Sequence, residues 1–266
     1  MRKSFLPATA KAMAMTLALA LPLLVPVAAL AEGGPALPKV VEEWHAGNDV
    51  ASIDSLQRGA RNVINYCLPC HSMKYVRWSR MGEDLHIPLN LLVAELMPPD
   101  AKPGDYIESS LRAEDAVVWF GKQPPDLSLI ARSRGTDKVY RFLKSFYDDP
   151  SRPAGSNNII LPAPAMPAVL SELEGVKAAV YKSEEAVVDG KPVTVKVFDH
   201  FEKISGGQLS DEQFDAFVRD TVNFLDYAGE PAQVSRRSTG VWVVLFLLVL
   251  TWFAWMLKKE YWKDVH

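Results

Sequence analysis

Two long apolar segments, one near each end, bound a central stretch in which apolar residues recur with helical spacing. The first segment, residues 12–30, follows three basic residues and ends in the sequence Ala29-Leu30-Ala31. A basic start, an apolar middle and an A-x-A exit are the parts of a secretory signal peptide. An uncleaved anchor helix is the alternative, but Pro22 and Pro26 interrupt the apolar run. The pattern predicts that residues 1–31 form a cleaved signal peptide.

The second apolar segment, Gly240 to Leu257, has no charged residue across 18 positions. As a helix it would be ~27 Å long, close to the roughly 30 Å of a bilayer core. A pair of arginines precedes it, a pair of lysines follows it, and several tryptophan and tyrosine residues lie near its end, which is typical of a membrane span. A buried core helix is the alternative. We predict a transmembrane anchor over residues 236–258 and a cytoplasmic tail over residues 259–266.

Three stretches of the intervening chain carry apolar stripes with helical spacing. The first stripe, residues 53–64, leads into the only two cysteines of the chain, and the second, residues 139–146, follows Asp137, a plausible N-cap. The third, residues 214–228, is preceded by a serine and a glutamine in the register of a capping box. The stripes predict three helices and a mainly α domain.

The segments between these helices are rich in proline. Residues 123–128 and 161–168 cannot be helix interiors, because proline lacks the amide donor and clashes with the preceding turn, so we predict extended loops. Residues 187–198 alternate around Asp189-Gly190, which predicts a β-hairpin, the one strand-like patch, as an insertion. Residues 32–235, about 200 in number, are enough for one exported domain.

The chain between the predicted signal peptide and Lys258 is acidic. Six of the 29 Lys and Arg and two of the 32 Asp and Glu lie outside residues 32–257, which leaves that stretch a net charge of −7. An acidic domain does not suit nucleic acid or anionic lipid, and no nucleic-acid partner is expected. Such a domain would attract a basic protein partner over a distance. The alternative is that the charge serves only solubility.

The sequence NYCLPCHSMKY contains both cysteines, Cys67 and Cys70, followed directly by His71. A redox disulfide of the thioredoxin type needs a βαβ frame, whereas this region is predicted to be helical. A zinc site needs four ligands, and the remaining histidines form no second ligand pair. C-x-x-C-H is the attachment sequence for c-type haem. Its spacing suits this role, because residues i, i+3 and i+4 share one face of a helix. Both thiols could then reach the haem vinyl groups while the imidazole faces the iron, so we predict one covalently attached haem c.

A haem iron ligated by histidine needs either a sixth ligand or an open site. Methionine raises the reduction potential and suits electron transfer, whereas an open site suits ligand binding or peroxide chemistry. Met73 and Met81 are too close to the histidine to reach the opposite haem face. Met97 and Met166 both remain candidates from the sequence pattern alone, and Met166 lies in a proline-stiffened loop with room to cross the haem.

Four segments of the chain carry a specific resemblance: CLPCHSMKYVRWSRM, PPDLSLIARSRG, FLKSFYDDPSRPAGSNN and MPAVL. With one C-terminal membrane span after them, they resemble the cytochrome c1 family, the haem c subunit of the ubiquinol–cytochrome c oxidoreductase (bc1) complex. The similarity runs from about Ser52 to the C-terminus. It implies a mainly α, class I-like cytochrome c domain with long loops, a small β-hairpin insertion at 187–198 and one C-terminal transmembrane helix.

The resemblance also implies which residues bind the haem. They are Cys67, Cys70, His71, Pro124, Pro125, Arg132, Tyr140 and Met166. The two cysteines would form thioether links, and His71 and Met166 would ligate the iron. One of the two prolines would offer its carbonyl to the outer nitrogen of the histidine.

Two further roles and one departure follow from the same resemblance. Arg132, with Arg134 as a second choice, would pair with a haem propionate, and Tyr140 would lie near the haem edge. The residue before the ligand methionine is usually glycine in the family, whereas this chain has Ala165.

The function implied is single-electron transfer from the Rieske iron–sulfur protein to a soluble or tethered cytochrome c, with cytochrome b as a further partner. No substrate chemistry of the chain's own is expected. The resemblance and the signal peptide together predict a single-pass protein of the bacterial cytoplasmic (inner) membrane, with the haem domain on the periplasmic side. Two alternatives stay open: a tethered cytochrome that feeds an oxidase outside a bc1 complex, and a haem enzyme with an open sixth site.

Overall fold

The computed structural model describes residues 38–188 and 191–264, so the predicted signal peptide and the Asp189-Gly190 turn lie outside the described residues. Within these ranges the helices are α1 (Lys39–Glu42), α2 (Ile53–Tyr66), α3 (Trp78–Asp84), α4 (Leu89–Leu91, continued by a π-helical turn, Leu92–Leu96), α5 (Ala113–Phe120), α6 (Ile130–Arg134), α7 (Thr136–Lys144), α8 (Ser171–Glu174), α9 (Asp211–Gly229) and α10 (Gln233–Tyr261). The strands are β1 (Met73–Arg77), β2 (Tyr106–Ile107), β3 (Phe146–Asp148), β4 (Ser156–Asn158), β5 (Lys177–Val188) and β6 (Lys191–Lys203). The fold is mainly α, as the sequence predicts.

The crossing of α2 and α9 forms the centre of the core. Both helices bury the apolar faces that the sequence predicts, and burying a Val, Leu or Phe side chain contributes about 1.5–3 kcal/mol. The helices approach closely because Gly59 has no side chain: a Cβ there would lie 2.1 Å from the carbonyl oxygen of Asp220. The Asp220 carboxylate accepts hydrogen bonds from Ser55 Oγ (2.6 Å) and Arg58 Nε (2.5 Å), which fixes the register of the two helices.

Of the two predicted helix starts, that of α9 is confirmed and that of α7 is wrong. Ser210 caps α9 in a full capping box with Gln213, as predicted. The prediction that Asp137 caps α7 is wrong, because the helix begins one residue earlier, at Thr136. The Asp137 carboxylate instead accepts hydrogen bonds from the backbone amide of Ala46 (2.9 Å) and from the ring of His45 (2.8 Å). It thereby ties the N-terminal segment to α7.

Three two-stranded antiparallel sheets form: β1 with β2, β3 with β4, and β5 with β6. The sequence predicts a hairpin only over residues 187–198, whereas β5 and β6 extend over 177–188 and 191–203. The prediction that this is the one strand-like patch is therefore wrong. The strands β1 to β4 have two to five residues each, too few for an alternating pattern to be recognised.

The base of the β5–β6 hairpin packs on the domain through aromatic side chains. Phe201 lies at its centre, with its ring centroid 4.8 Å from that of Phe198 and 6.3 Å from that of Trp44. The Lys177 ammonium lies 4.3 Å from the Phe201 ring centroid and also pairs with Glu174. This cluster anchors one end of the hairpin to the domain.

The two proline-rich segments, residues 123–128 and 161–168, are irregular loops, as predicted. The C-terminal helix α10 has 29 residues and a mean hydropathy of 2.3 over its most apolar window, and it buries none of that window against the domain. Among the described residues it is the one helix long and apolar enough to cross a membrane. It contains the predicted anchor, residues 236–258.

Candidate functional site

The cysteine pair lies in a turn that directly follows α2. The helix ends at Tyr66, and the chain makes one further helical turn in which the amide of His71 donates to the carbonyl of Cys67 (2.8 Å). The sequence argument places the motif on a helix; the structure places it on this added turn, which keeps the i, i+3, i+4 spacing. Neither Cys67 nor Cys70 forms a disulfide.

The environment of Cys67 favours an uncharged sulfur. Burial, with a smaller contribution from the neighbouring Cys70, raises the pKa of the Cys67 thiol to about 12. A thiol in this state is protonated at neutral pH and is not an activated nucleophile. A thioether sulfur is also uncharged and therefore fits the same surroundings.

The imidazole of His71 is oriented by a backbone carbonyl. Its Nδ1 lies 2.7 Å from the carbonyl oxygen of Pro125, so Nδ1–H donates and Nε2 keeps its lone pair. Burial lowers the pKa of His71, although the Pro125 carbonyl and the Asp126 carboxylate act in the opposite direction. A neutral ring with a free Nε2 is the form that binds a metal. The carbonyl that faces His71 belongs to Pro125, the second of the two candidate prolines.

The loop that carries Pro125 is fastened to the chain just after the histidine. The Asp126 carboxylate accepts hydrogen bonds from the amides of Lys74 (2.9 Å) and Ser128 (2.8 Å), and Ser128 Oγ accepts one from the amide of Tyr75 (3.1 Å). The amide of Leu127 also donates to the carbonyl of Ser72 (2.9 Å). Sequence reasoning missed Asp126 and Ser128 as positioning residues, although the place of Asp126 directly after the paired prolines was a usable signal.

The four candidate methionines lie in different surroundings. Met73 and Met81 are fully buried in the hydrophobic core, where they fill space. Met97 is also nearly buried, and it lines a cleft that includes Leu68 from within the cysteine motif. Met166 is half-buried, packs against the core and lines a cavity of about 210 Å³ at the start of the β5–β6 hairpin. Met97 and Met166 therefore remain the methionines near the surface of the core.

The structure places the other two predicted haem contacts on the helices around α9. Arg132 is mostly exposed, and its guanidinium lies 3.4 Å from the Glu230 carboxylate. Tyr140 is 3% exposed, and its hydroxyl donates to the Asp215 carboxylate and accepts from Lys144 (3.0 Å). Burial raises the pKa of Tyr140. These contacts do not bear on a propionate or a haem edge, so the two roles stay predictions.

The donor set fits a covalent haem better than a bare metal ion. In the part of the chain that the structure describes, no three His, Cys, Asp or Glu side chains come together as a metal site. The motif offers instead two cysteines that form no disulfide and one oriented imidazole. These features, on a mainly α fold, define a c-type cytochrome.

Comparison with known proteins gives the family. The model of the cytochrome c1 family matches residues 48–265. A cytochrome c1 from Allochromatium vinosum is 46% identical over 92% of this chain and 96% of that protein. A protein from Nitrosomonas europaea named ammonia monooxygenase gamma subunit is 39% identical over 82% of this chain and 86% of its own length. A protein from Candida albicans named cytochrome b-c1 complex catalytic subunit is 26% identical over 79% of this chain and 72% of its own length.

The chain therefore belongs to the cytochrome c1 family. The proteins of this family carry a covalently bound haem c, and this chain does so as well. The expectation of an electron-carrying haem protein, first raised by the C-x-x-C-H motif, is confirmed.

Proposed function

We propose that this chain is the haem c subunit of a bc1 complex and passes single electrons from the Rieske iron–sulfur protein to a cytochrome c. The observation that carries the proposal is the hydrogen bond of 2.7 Å between His71 Nδ1 and the Pro125 carbonyl. It joins the haem motif to the P-P-D-L-S segment, and the two together are what the family resemblance rests on. The name of the Candida albicans relative, a subunit of a cytochrome b-c1 complex, supports the same assembly.

Four residues would hold the haem. Cys67 and Cys70 would form its thioether links, and His71 and Met166 would ligate its iron. When bound, the haem supplies the one-electron Fe(III)/Fe(II) couple. The chain's residues set the conditions for that couple: Pro125 fixes the histidine ring, and a neutral thioether ligand favours Fe(II) and so raises the reduction potential. Met166 is favoured over Met97 because it alone lies in the M-P-A-V-L segment of the family resemblance.

The arrangement in the membrane follows from the two apolar segments. Residues 1–31 would be removed as a signal peptide, residues 32–235 would form the exported haem domain, and residues 236–258 would anchor it. Residues 259–266 would remain on the cytoplasmic side. This disposition puts the haem domain on the periplasmic side of a bacterial inner membrane, where covalent attachment retains the cofactor.

The partners are cytochrome b and the Rieske protein within the complex and a soluble or tethered cytochrome c outside it. The relative named as an ammonia monooxygenase subunit makes a different membrane assembly a second candidate. A purification of the tagged full-length chain from its own membranes distinguishes the two. We expect a multi-helical b-type cytochrome and an iron–sulfur protein to accompany it. A chain that purifies alone, with an oxidase or with a monooxygenase would contradict the proposal.

A further inference from the structure

Two adjacent asparagines at the start of the Met166 loop are almost completely buried. Asn158 is 1% exposed and connects three parts of the chain. Its Nδ2 donates to the carbonyl of Phe142 on α7 (2.8 Å), and its Oδ1 accepts from the amides of Ile160 (2.9 Å) and Leu161 (3.1 Å). The first residues of the loop are therefore fixed to α7 through one side chain.

Asn157 reaches further into the same loop. It is 6% exposed, its Oδ1 accepts from the amide of Ala163 (2.8 Å), and its Nδ2 donates to the Asp149 carboxylate (2.9 Å). Asp149 is itself held by the hydroxyl of Ser151 (2.6 Å). Asn157 therefore links the turn at Asp149 to the middle of the Met166 loop.

Ala163 has a backbone conformation that needs such support. Its φ is +56°, the left-handed region that residues with a Cβ rarely adopt. It also precedes Pro164, which disfavours the helical regions for the residue before it. Because residues 162 and 164 are both proline, the amide of Ala163 is the one backbone donor among these three positions, and Asn157 uses it.

A second contact holds the loop on the other side of the methionine. The amide of Ala168 donates to Ser156 Oγ (3.2 Å), and Ser156 lies next to Asn157 in the strand β4. Met166 therefore lies between Ala163 and Ala168. The backbone amides of both alanines are hydrogen-bonded to side chains of strand β4.

We propose that Asn157 is a positioning residue that fixes the position of Met166, the residue that would ligate the haem iron. The proposal rests on the proposed ligation of the haem iron by Met166. Asn157 would act on the methionine through its hydrogen bond to the backbone of Ala163. Without this hydrogen bond Ala163 would lose the support of its left-handed conformation, and the thioether of Met166 would be less firmly positioned to ligate the iron.

The test uses the full-length, haem-loaded protein with the substitution Asn157→Ala. We expect reduced N157A to bind carbon monoxide about tenfold more readily than the wild type, which corresponds to about 1.4 kcal/mol, the scale of one lost hydrogen bond. The Fe(III)–methionine absorption band should weaken and the reduction potential should fall. Asn62→Ala is the matched control, since Asn62 is also buried but bonds Phe217 and Thr221 in the α2–α9 crossing. It should lower stability and leave carbon monoxide binding unchanged.

A second substitution tests the route through Ala163. Glycine adopts a positive φ without the steric cost of a Cβ. Adding Ala163→Gly to the N157A protein should therefore restore part of the absorption band and reduce carbon monoxide binding. No restoration would mean that Asn157 does not act through the conformation of this residue, and would overturn the proposal.

Met166→Ala, measured under the same conditions, tests the ligation by Met166 separately from the positioning role of Asn157. If M166A binds carbon monoxide readily and N157A behaves as the wild type, the ligand stands and the positioning role is wrong. If M166A stays closed to carbon monoxide, Met166 is not the ligand, and both proposals are overturned. Equal effects of N157A and the Asn62→Ala control would also overturn the positioning role, because the cause would then be general destabilisation.

Discussion

Met166 is the residue on which the redox behaviour depends most. Met166→His should lower the reduction potential by on the order of hundreds of millivolts, because a ligand that favours Fe(II) is lost. At ~59 mV per tenfold change for a one-electron couple, the variant could no longer accept electrons from a high-potential donor. A redox titration of the purified protein measures this shift. Met97→Leu is the control and should leave the potential unchanged; the reverse result would make Met97 the ligand.

The asparagines and Asp126 show what the sequence could not provide at the residue scale. Cys67, Cys70 and His71 are recognised by their spacing, because the chemistry requires them to be neighbours. Asn157 and Asp126 act through hydrogen bonds to backbone amides elsewhere in the fold. Such bonds leave no periodic pattern in the sequence, so nothing in the chain selects Asn157 from the other asparagines, whereas the paired prolines before it mark Asp126.

At the scale of elements, the α2–α9 crossing depends on one residue without a side chain. Gly59→Ala would place a Cβ 2.1 Å from the carbonyl oxygen of Asp220, a clash that only a shift of the helices can relieve. Because α2 ends directly at the haem motif, the shift would also disturb the turn at Cys67. We expect a loss of about 1–3 kcal/mol in the free energy of unfolding, the usual effect of overpacking.

Denaturant unfolding of the haem-loaded protein measures this loss. Gly104→Ala is a matched control, because a Cβ at Gly104 would meet no atom within 4 Å and the residue is exposed. A Gly59→Ala protein as stable as this control would show that the helices tolerate a wider separation.

The long helices were predictable from the sequence because their apolar stripes run for three or more turns. The capping box of α9 is a local signal and was also recognised. The start of α7 was misplaced because Asp137 bonds His45 and Ala46, which lie some ninety positions away in the sequence. The full extent of β5 and β6 was missed because their bases pack on Trp44 and Tyr147, contacts that exist only in the folded domain.

The anchor helix α10 should be separable from the haem domain. The domain core ends with α9 at Gly229, and α10 buries none of its most apolar window against the domain. A chain that ends at Ser235 should therefore be soluble, red and reducible by dithionite, yet fail to support quinol oxidation in membranes. The visible spectrum tests whether the shortened chain keeps its haem. A membrane reductase assay tests whether it supports quinol oxidation. Loss of the haem spectrum would show that the anchor belongs to the fold of the domain.

At the scale of the whole molecule, the net charge of −7 over residues 32–257 predicts attraction of a basic acceptor. The acidic residues around the Met166 loop and the β5–β6 hairpin are not equally available for contact with such an acceptor. Glu174 is largely buried and paired with Lys177, so it cannot serve as a free surface charge. Glu184 and Glu185 are exposed, although Glu184 lies 3.1 Å from Lys182.

These two exposed glutamates are the ones to neutralise. Glu184→Gln with Glu185→Gln should slow electron transfer to a basic cytochrome c at low salt, because steering acts on the rate of encounter. The difference from the wild type should shrink as salt shortens the Debye length to ~8 Å near 0.15 M. The measurement is the bimolecular rate of electron transfer to cytochrome c as a function of ionic strength, for the wild type and the double variant. A double variant as fast and as salt-sensitive as the wild type would place the docking surface elsewhere.

If this chain passes electrons as proposed, it lies on the path between quinol and cytochrome c. A single-turnover experiment on the purified membrane complex tests it most directly, with the haem c absorbance followed after quinol is added. The haem should be reduced when no acceptor is present and should be reoxidised as soon as oxidised cytochrome c is added. A haem c that stays oxidised while the complex reduces cytochrome c would place this chain outside the electron path.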